Sequence, residues 1–393
     1  MENKKLLKFN PFFKNQDRLI TKRYLNRTSS DQFHLTVADA DCETSPYLIK
    51  DLLSGIKISV FPYIYYHQQD VDAINNWYKF KQKKLSVQNY LPGTGVIQLI
   101  QLCLLTFAEK DDNIILNTPA YKPFISSIIS LGLNLIENKL VNINQEYHID
   151  FYLLKQQIIK YRPKVYIFCN PHNPTGKVFS KEDLVKLLKL AKKYNFYLVS
   201  DEIWQDIFYS KNFTPLIKAT NNDDLLQYAI SISSPATTFN FFTIQFGYLL
   251  SWSNKIIDQL KITDNKLNWY PSSSFFNYLL LKSAYLNPKN KKWLKYKVNY
   301  LKDSFQYLKN SIESKTKIIV TKSEATTLAW LDFSNLVQDS NQLKERFTKI
   351  GIFPLFGIDF GSDYRFFVRL NYFLEKNELK ILVNKLIKEF YTT

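Results

Sequence analysis

The chain has 393 residues, enough for roughly two or three structural units at about 100–200 residues each. Hydrophobic residues make up 46% and charged residues 22%, a balance that excludes a disordered, collagenous or coiled-coil chain. The net charge of +17 admits nucleic acid, an anionic membrane or an acidic peptide as partner. Yet the lysines are spread along the chain, no nucleic-acid-binding motif accompanies them, and Lys, Asn, Ile, Tyr and Phe are abundant together, as AT-rich coding would give. No apolar run reaches the roughly 18 residues of a membrane span, and MENKKLLKFN has no apolar stretch behind its charges, so neither a membrane segment nor a signal peptide is expected. Cys42, Cys103 and Cys169 are scattered and odd in number, which fits a reducing cytoplasm and neither a disulfide framework nor a metal site.

The first 45 or so residues lack a clear period and are expected to pack on the C-terminal part. From about residue 90, apolar strands alternate with helices. Val96–Phe107 (VIQLIQLCLLTF) is apolar on most faces and predicts a buried helix. Short strands are predicted at 114–116 (IIL) and 164–169 (KVYIFC). Ser180-Lys181-Glu182-Asp183 resembles a capping box and opens the helix LVKLLKLAKKY. Strands at 196–200 (FYLVS) and Ala229–Ser233 (AISIS) follow. This alternation predicts a mostly parallel sheet with helices on both faces. After about residue 288 the pattern changes to a long amphipathic helix (KKWLKYKVNYLKDSFQYLKNSI), strands near 317–320, Leu328–Asp332 and 366–371, and a last helix near 375–390. The expected organisation is an N-terminal segment 1–45, a large domain 46–287 and a small α+β domain 288–393.

In open parallel sheets, ligands sit beyond the C-terminal strand ends. After KVYIFC comes Asn170-Pro171-His172-Asn173-Pro174-Thr175-Gly176, and after FYLVS comes Asp201-Glu202. After AISIS comes Ser234-Pro235-Ala236-Thr237-Thr238-Phe239-Asn240. Pro92-Gly93-Thr94-Gly95-Val96 precedes the buried helix, whose free N–H groups form an anion site. The chain has only 9 Gly, so those that stand in such loops are informative. Each signal alone is weak, since a strand-end Asp is often a cap and a glycine loop often a turn. Their order on this scaffold is specific.

Taken together, the chain resembles fold-type-I pyridoxal-phosphate (PLP) enzymes of the class I/II aminotransferase group, in particular the cystathionine β-lyase-like (MalY/PatB-type) C–S lyases. Val37-Ala38-Asp39-Ala40-Asp41, Tyr63 with Trp77, Thr118-Pro119-Ala120-Tyr121, CNPHNPTG, Ser200-Asp201-Glu202-Ile203, Thr238-Phe239-Asn240, Glu324-Ala325-Thr326 and Phe367-Val368-Arg369-Leu370-Asn371 carry the likeness. It implies the PLP-dependent transferase fold, aspartate aminotransferase-like: a large α/β domain with a mostly parallel seven-stranded sheet, plus a smaller α+β domain. It also implies roles. Asp201 pairs with the pyridinium nitrogen, Asn173 bonds the ring oxygen, Tyr121 stacks on the ring, and the N–H groups of Val96 and Ile97 hold the phosphate. Trp204, in place of the branch's His, joins this cofactor set. Arg369, with Ala38 beside it, takes the substrate carboxylate, because a guanidinium fork matches a carboxylate bidentately. Tyr63 reaches the other subunit's site, implying a homodimer.

One departure matters most. The branch's P-S-K-T-F-N reads here Pro235-Ala236-Thr237-Thr238-Phe239-Asn240, which puts Thr237 at the Schiff-base lysine and Ala236 at a phosphate-binding serine. No lysine lies between Lys218 and Lys255, so a one-residue slip does not restore it. The loss of a general base alone is typically worth roughly 10²–10⁴-fold. Pro62, Trp204, Thr243 and Thr327 depart from the branch as well, so the site is rebuilt beyond one position. Lys122, next to Tyr121, is a candidate surrogate amine, against the plainer reading of a solvated lysine at a helix start.

Three readings follow. The first is a degenerate or repurposed member that binds an amino-acid or peptide carboxylate, with non-covalent PLP or PMP or with no cofactor. The second is an active PLP-dependent C–S β-lyase or aminotransferase using an unusual base. The third is a basic scaffold for an acidic partner.

Overall fold

The computed structural model describes residues 7–9, 32–40, 42–61, 63–80, 83–210, 212–268 and 274–391; Asp41 and Pro62 of the motifs above lie outside them. The first described elements are strand β1 (Phe33–His34) and helices α1 (Pro46–Ile56) and α2 (Gln68–Trp77). Strand β2 (Tyr90–Gly93) then leads into α3 (Val96–Phe107), β3 (Asn113–Thr118), α4 (Lys122–Ser130) and β4 (Asn134–Lys139). A hairpin, β5 (Val141–Ile143) and β6 (Glu146–His148), precedes α5 (Phe151–Tyr161), β7 (Val165–Cys169), α6 (Lys181–Tyr194) and β8 (Tyr197–Asp201). The short α7 (Asp223–Leu226), β9 (Ala229–Ser233), the single turn α8 (Pro235–Thr238), β10 (Gly247–Leu250) and α9 (Asn254–Lys266) complete this part.

These strands form one seven-stranded sheet in the order β2-β10-β9-β8-β7-β3-β4. Its centre is parallel, and β10 alone runs against both of its neighbours. Every residue of β7 and β9 is buried, as expected of strands covered on both faces. Helix α6 shows how the sequence writes its own limits. The Ser180 hydroxyl accepts from the Asp183 N–H and the Asp183 carboxylate accepts from the Ser180 N–H. Leu184, Leu187, Leu188 and Ala191 make the buried stripe, and Asn195 ends the helix at φ +55°.

Helices α10 (Phe275–Leu286) and α11 (Pro288–Glu313) follow, then β11 (Ile319–Val320), β12 (Leu328–Asp332), α12 (Ser340–Lys349), β13 (Ile352–Phe353), β14 (Leu355–Phe356), β15 (Phe367–Asn371) and α13 (Lys376–Phe390). Strands β11-β12-β15-β14 form a second, antiparallel sheet. Beside it, β1 pairs with β13, Phe9 bridges Cys42, and Leu35 is buried in the core under that sheet. Helix α11 joins the two parts. Asn287 caps it by accepting from the Lys289 N–H, with Pro288 in the first turn. Its Trp293 belongs to the core of the large sheet, while Leu301, Phe305, Leu308 and Ile312 belong to the core of the small one. Among the described residues no helix is long and apolar enough to cross a membrane.

Candidate active site

Strands β3, β7, β8 and β9 are mutually parallel, so their C-terminal ends share one edge. That edge carries Asp201 at the end of β8, and the segments leaving it carry Tyr121 before α4, Asn173 after β7 and Thr237 in α8. Strand β2 runs the same way and leads through Gly93, Thr94 and Gly95 into α3. Gly95 sits at φ +143° and supplies no side-chain cap, so the first N–H groups of α3, those of Val96 and Ile97, keep their donors free of a protein cap. Gly247 of β10 lies against this end; a Cβ there would come within 2.9 Å of the Gly95 carbonyl carbon and 3.0 Å of the Val96 nitrogen. The Gln245 side chain reaches the same loop, its Oε1 3.6 Å from the place of a Cβ on Gly95.

Asp201 ends β8, is 4% exposed, and accepts from the Ile203 N–H at 3.0 Å. Burial pushes its carboxyl up to about 7, and the backbone bond offsets only part of that rise. No Lys or Arg forms an ion pair with it among the described residues. The neighbouring Glu202 is pushed by burial to about 8, against bonds from the Leu216 N–H and the Ser231 hydroxyl. His172 is held neutral, since burial lowers its imidazole to about 3.

Arg369 enters from β15 of the small sheet. Its Nη1 donates to Asn173 Oδ1 at 3.1 Å and its Nη2 to the Thr36 carbonyl at 2.6 Å. Its guanidinium carbon lies 5.3 Å from the centre of the Phe360 ring. The buried Nε has no hydrogen-bond partner among the described residues, and burial lowers the guanidinium to about 10. Tyr121 faces both charges. Burial raises its hydroxyl first, Arg369 pulls it down and Asp201 pushes it up. The structure therefore brings Tyr121, Asn173, Asp201 and Arg369 together.

A strap formed by residues 36–40 and 42 borders Arg369. Asn371 Nδ2 donates to the Val37 and Asp39 carbonyls at 3.0 and 2.7 Å. Asn240, at φ +56° after α8, donates to the Ala40 and Cys42 carbonyls and accepts from the Ala40 N–H at 3.0 Å. Ala38 lies in this strap, half-buried against the core of the small sheet.

The remaining expected positions have varied surroundings. Lys122 is not a pocket amine: its side chain is largely exposed, bonded at 2.8 Å to Asp359, and that bond raises its affinity for the proton. Trp204 is buried in the same core as Leu301 and Phe305 of the small part. Tyr63 is 84% exposed on the segment between α1 and α2. Thr237 is buried in α8, and its hydroxyl bonds to no protein group among the described residues. The ammonium that touches this turn is Lys297 of α11, donating to the Thr237 carbonyl at 3.2 Å and the Thr238 carbonyl at 2.8 Å. Asp206 accepts from the Thr238 hydroxyl at 2.8 Å and from Trp77 Nε1 at 3.0 Å. Neither Lys297 nor Asp206 belongs to a motif. The readable mark of Lys297 is that it interrupts the buried row Trp293, Leu301, Phe305, Leu308 and Ile312.

The family model for aminotransferase class I and II matches residues 23–386. The chain belongs to this family. Among the family's members, it is 27% identical over 350 residues to cystathionine beta-lyase PatB of Bacillus subtilis, covering 87% of this chain and 88% of that one. It is 24% identical to protein MalY of Escherichia coli over 350 residues, with 87% of each chain covered. Cystalysin from Treponema denticola, solved with a pyridoxal 5′-phosphate cofactor, superposes with a TM-score of 0.86 at 23% identity over 94% of this chain and 97% of that one. A PLP-bound putative aminotransferase from Clostridium difficile gives 0.84 at 24%, over 93% and 94%. The architecture of this aminotransferase-family chain is thus the PLP-dependent aminotransferase fold expected from its motifs, including the seven-stranded sheet.

Proposed function

We propose that this chain binds a small amino acid or peptide end through its carboxylate, beside a pyridoxal-type phosphate held without a covalent bond, with Thr237 standing where the family's anchoring lysine would be. The observation that carries the reading is Asp201. A buried carboxyl lifted to about 7, with no protein cation paired to it, fits a protonated ring nitrogen. The other groups present fit the remainder of the ligand. The open N-terminus of α3 suits a phosphate, and the unpartnered Nε of Arg369 suits a carboxylate. A bound cofactor of this kind would supply an electron sink beside the amino acid's α-carbon.

The chain's own residues then have separable tasks. Asp201 keeps a proton on the ring nitrogen by becoming the anion that faces it. Asn173, whose Oδ1 is taken by Arg369, retains its Nδ2 donors for a ligand oxygen. Tyr121 closes the pocket with a neutral ring, its hydroxyl held protonated by burial. Thr237 offers a hydroxyl with no basicity near neutral pH, so proton removal at carbon has no general base at that position.

The same reading includes a homodimer. Leu53, Ile58, Val60, Phe61, Tyr63 and Tyr65 are each more than half exposed, an apolar run unlike a solvated loop. A second copy covering this run would bring Tyr63 to its partner's pocket. The three cysteines are buried free thiols, which suits a reducing cytoplasm.

The test is the absorbance spectrum of the purified chain with and without pyridoxal phosphate, followed by borohydride reduction and peptide mass analysis. The expected result is saturable uptake of a chromophore that reduction leaves removable by gel filtration. A pyridoxyl group fixed to any lysine, or no uptake at all, would sink the reading.

A further inference from the structure

We propose that Lys122 is a positioning residue for carboxylate binding: from the start of α4 it clamps Asp359 at the rim of the pocket and neutralises it, so that Arg369 meets an anion with its charge unopposed. The inference rests on the carboxylate pocket assigned above and deepens it by naming what sets the charge around Arg369.

The segment 357–364 joins β14 to β15 of the small sheet, yet its Phe360 and Tyr364 are buried in the core of the large one. The centre of the Phe360 ring lies 5.1 Å from that of Trp330 and 5.3 Å from the guanidinium carbon of Arg369. The residues on either side of Tyr121 are fastened to this segment. The Ala120 N–H donates to the Phe360 carbonyl at 2.9 Å, and Lys122 Nζ donates to Asp359 Oδ1 at 2.8 Å. Lys139 of β4 pairs with Asp363 near the segment's other end. Asp359 therefore directly precedes the residue whose ring lies against Arg369, and Lys122 directly follows Tyr121.

The partners differ in exposure: the Lys122 side chain is 64% exposed and that of Asp359 32%. An ion pair this open adds little to stability. Without it the segment keeps the Ala120–Phe360 bond and the buried Phe360 ring. The charge of the pair therefore matters more than its strength. Asp359, partly withdrawn from water, acts on Arg369: burial pulls the guanidinium down, while Tyr121 and Asp359 pull it up. A negative charge that favours the guanidinium opposes an anion resting on it. Lys122 cancels most of that opposition at the distance of the pocket. An Asp359 left bare, a unit charge ~10 Å from the anion, would cost roughly fivefold in affinity.

The experiment titrates acetate by calorimetry into the wild-type chain, Lys122→Met, Lys122→Arg, Asp359→Asn and the Lys122→Met/Asp359→Asn double variant. Loss of binding in Arg369→Gln assigns the acetate to the pocket. Lys122→Met is expected to bind roughly fivefold more weakly than wild type. Asp359→Asn stays within about twofold, since it loses the pair without baring a charge. The double variant returns to the level of Asp359→Asn, and Lys122→Arg matches wild type. A pair that only braced the fold would weaken Lys122→Met and Asp359→Asn alike. Equal affinities in those two variants, or a double variant as weak as Lys122→Met, overturn the role of Lys122 and leave the pocket standing. Acetate binding undiminished in Arg369→Gln, or absent from wild type, overturns the carboxylate pocket itself and this role with it.

Discussion

Asp201 shows how one carboxyl can be costly alone and useful in company. Its pKa is raised from the usual 3.8 to about 7. A group raised in the folded state contributes its full stability below its unfolded pKa and loses it as pH climbs through the folded one. The ligand-free chain therefore gives up about 4 kcal/mol at most, through this one side chain, between pH 4 and pH 8. Asp201→Asn removes that loss. Urea unfolding should find the variant gaining on wild type as pH rises from 5 to 8, while its affinity for pyridoxal phosphate drops at least about tenfold. Parallel stability profiles would show that the carboxyl is not strained in the way its burial indicates. Asp201 and Arg369 were legible in the sequence because each closes a strand or sits in a motif. Lys297 belongs to no motif, and its only mark in the sequence is its place within the row of apolar residues on α11.

The elements around the pocket depend on how closely two backbones meet. Gly247 lets β10 lie against Gly95 and the first turn of α3, a space with no room for a methyl group. Gly247→Ala should push that turn outward, lowering stability by about 1–3 kcal/mol and weakening phosphate affinity more than carboxylate affinity. Thermal melts and competition titrations measure both; an equal loss for the two anions would remove the helix end from the phosphate role. The strongly patterned elements were plain in the sequence: the apolar Val96–Phe107 helix, the capped α6, and the buried strands at 164–169 and Ala229–Ser233. Those left unread had a physical reason. Strand β4 (NLIENK) is the edge of its sheet and mostly exposed, so it carries no continuous apolar run. Strands β13 and β14 are two residues long and leave no period to detect. The predicted strand at 317–320 shrinks to Ile319–Val320, since Lys317 and Ile318 lead out of the turn that follows α11.

At the scale of the whole molecule, exposed Leu53, Ile58, Val60, Phe61, Tyr63 and Tyr65 adjoin exposed Phe276, and the Phe61 ring lies 5.4 Å from Phe275 and 6.1 Å from Phe276. A patch of this kind on a chain of net charge +17 is costly to leave in water. Sedimentation equilibrium should find a dimer for wild type and mainly monomer for Phe61→Asp, with the far-ultraviolet circular dichroism of the two alike. A wild-type monomer would leave Tyr63 without a partner's pocket to enter.

The strap has a mechanical consequence. Two asparagine side chains hold it, and they belong to different bodies: Asn371 to the small sheet, Asn240 to the turn that ends the large sheet's α8. Any swing of one body away from the other must therefore unfasten one asparagine while the other stays fastened, and the strap leaves with whichever keeps its grip. Because, among the described residues, the Ala40 N–H is tied through Asn240 alone, its rate of exchange with solvent deuterium times the release of one side of that fastening. Thr36, gripped by Arg369, marks the opposite side. On the proposed reading, a carboxylate arriving at that arginine would compete with the Thr36 carbonyl for the same guanidinium, so that filling the pocket would loosen the strap at this end.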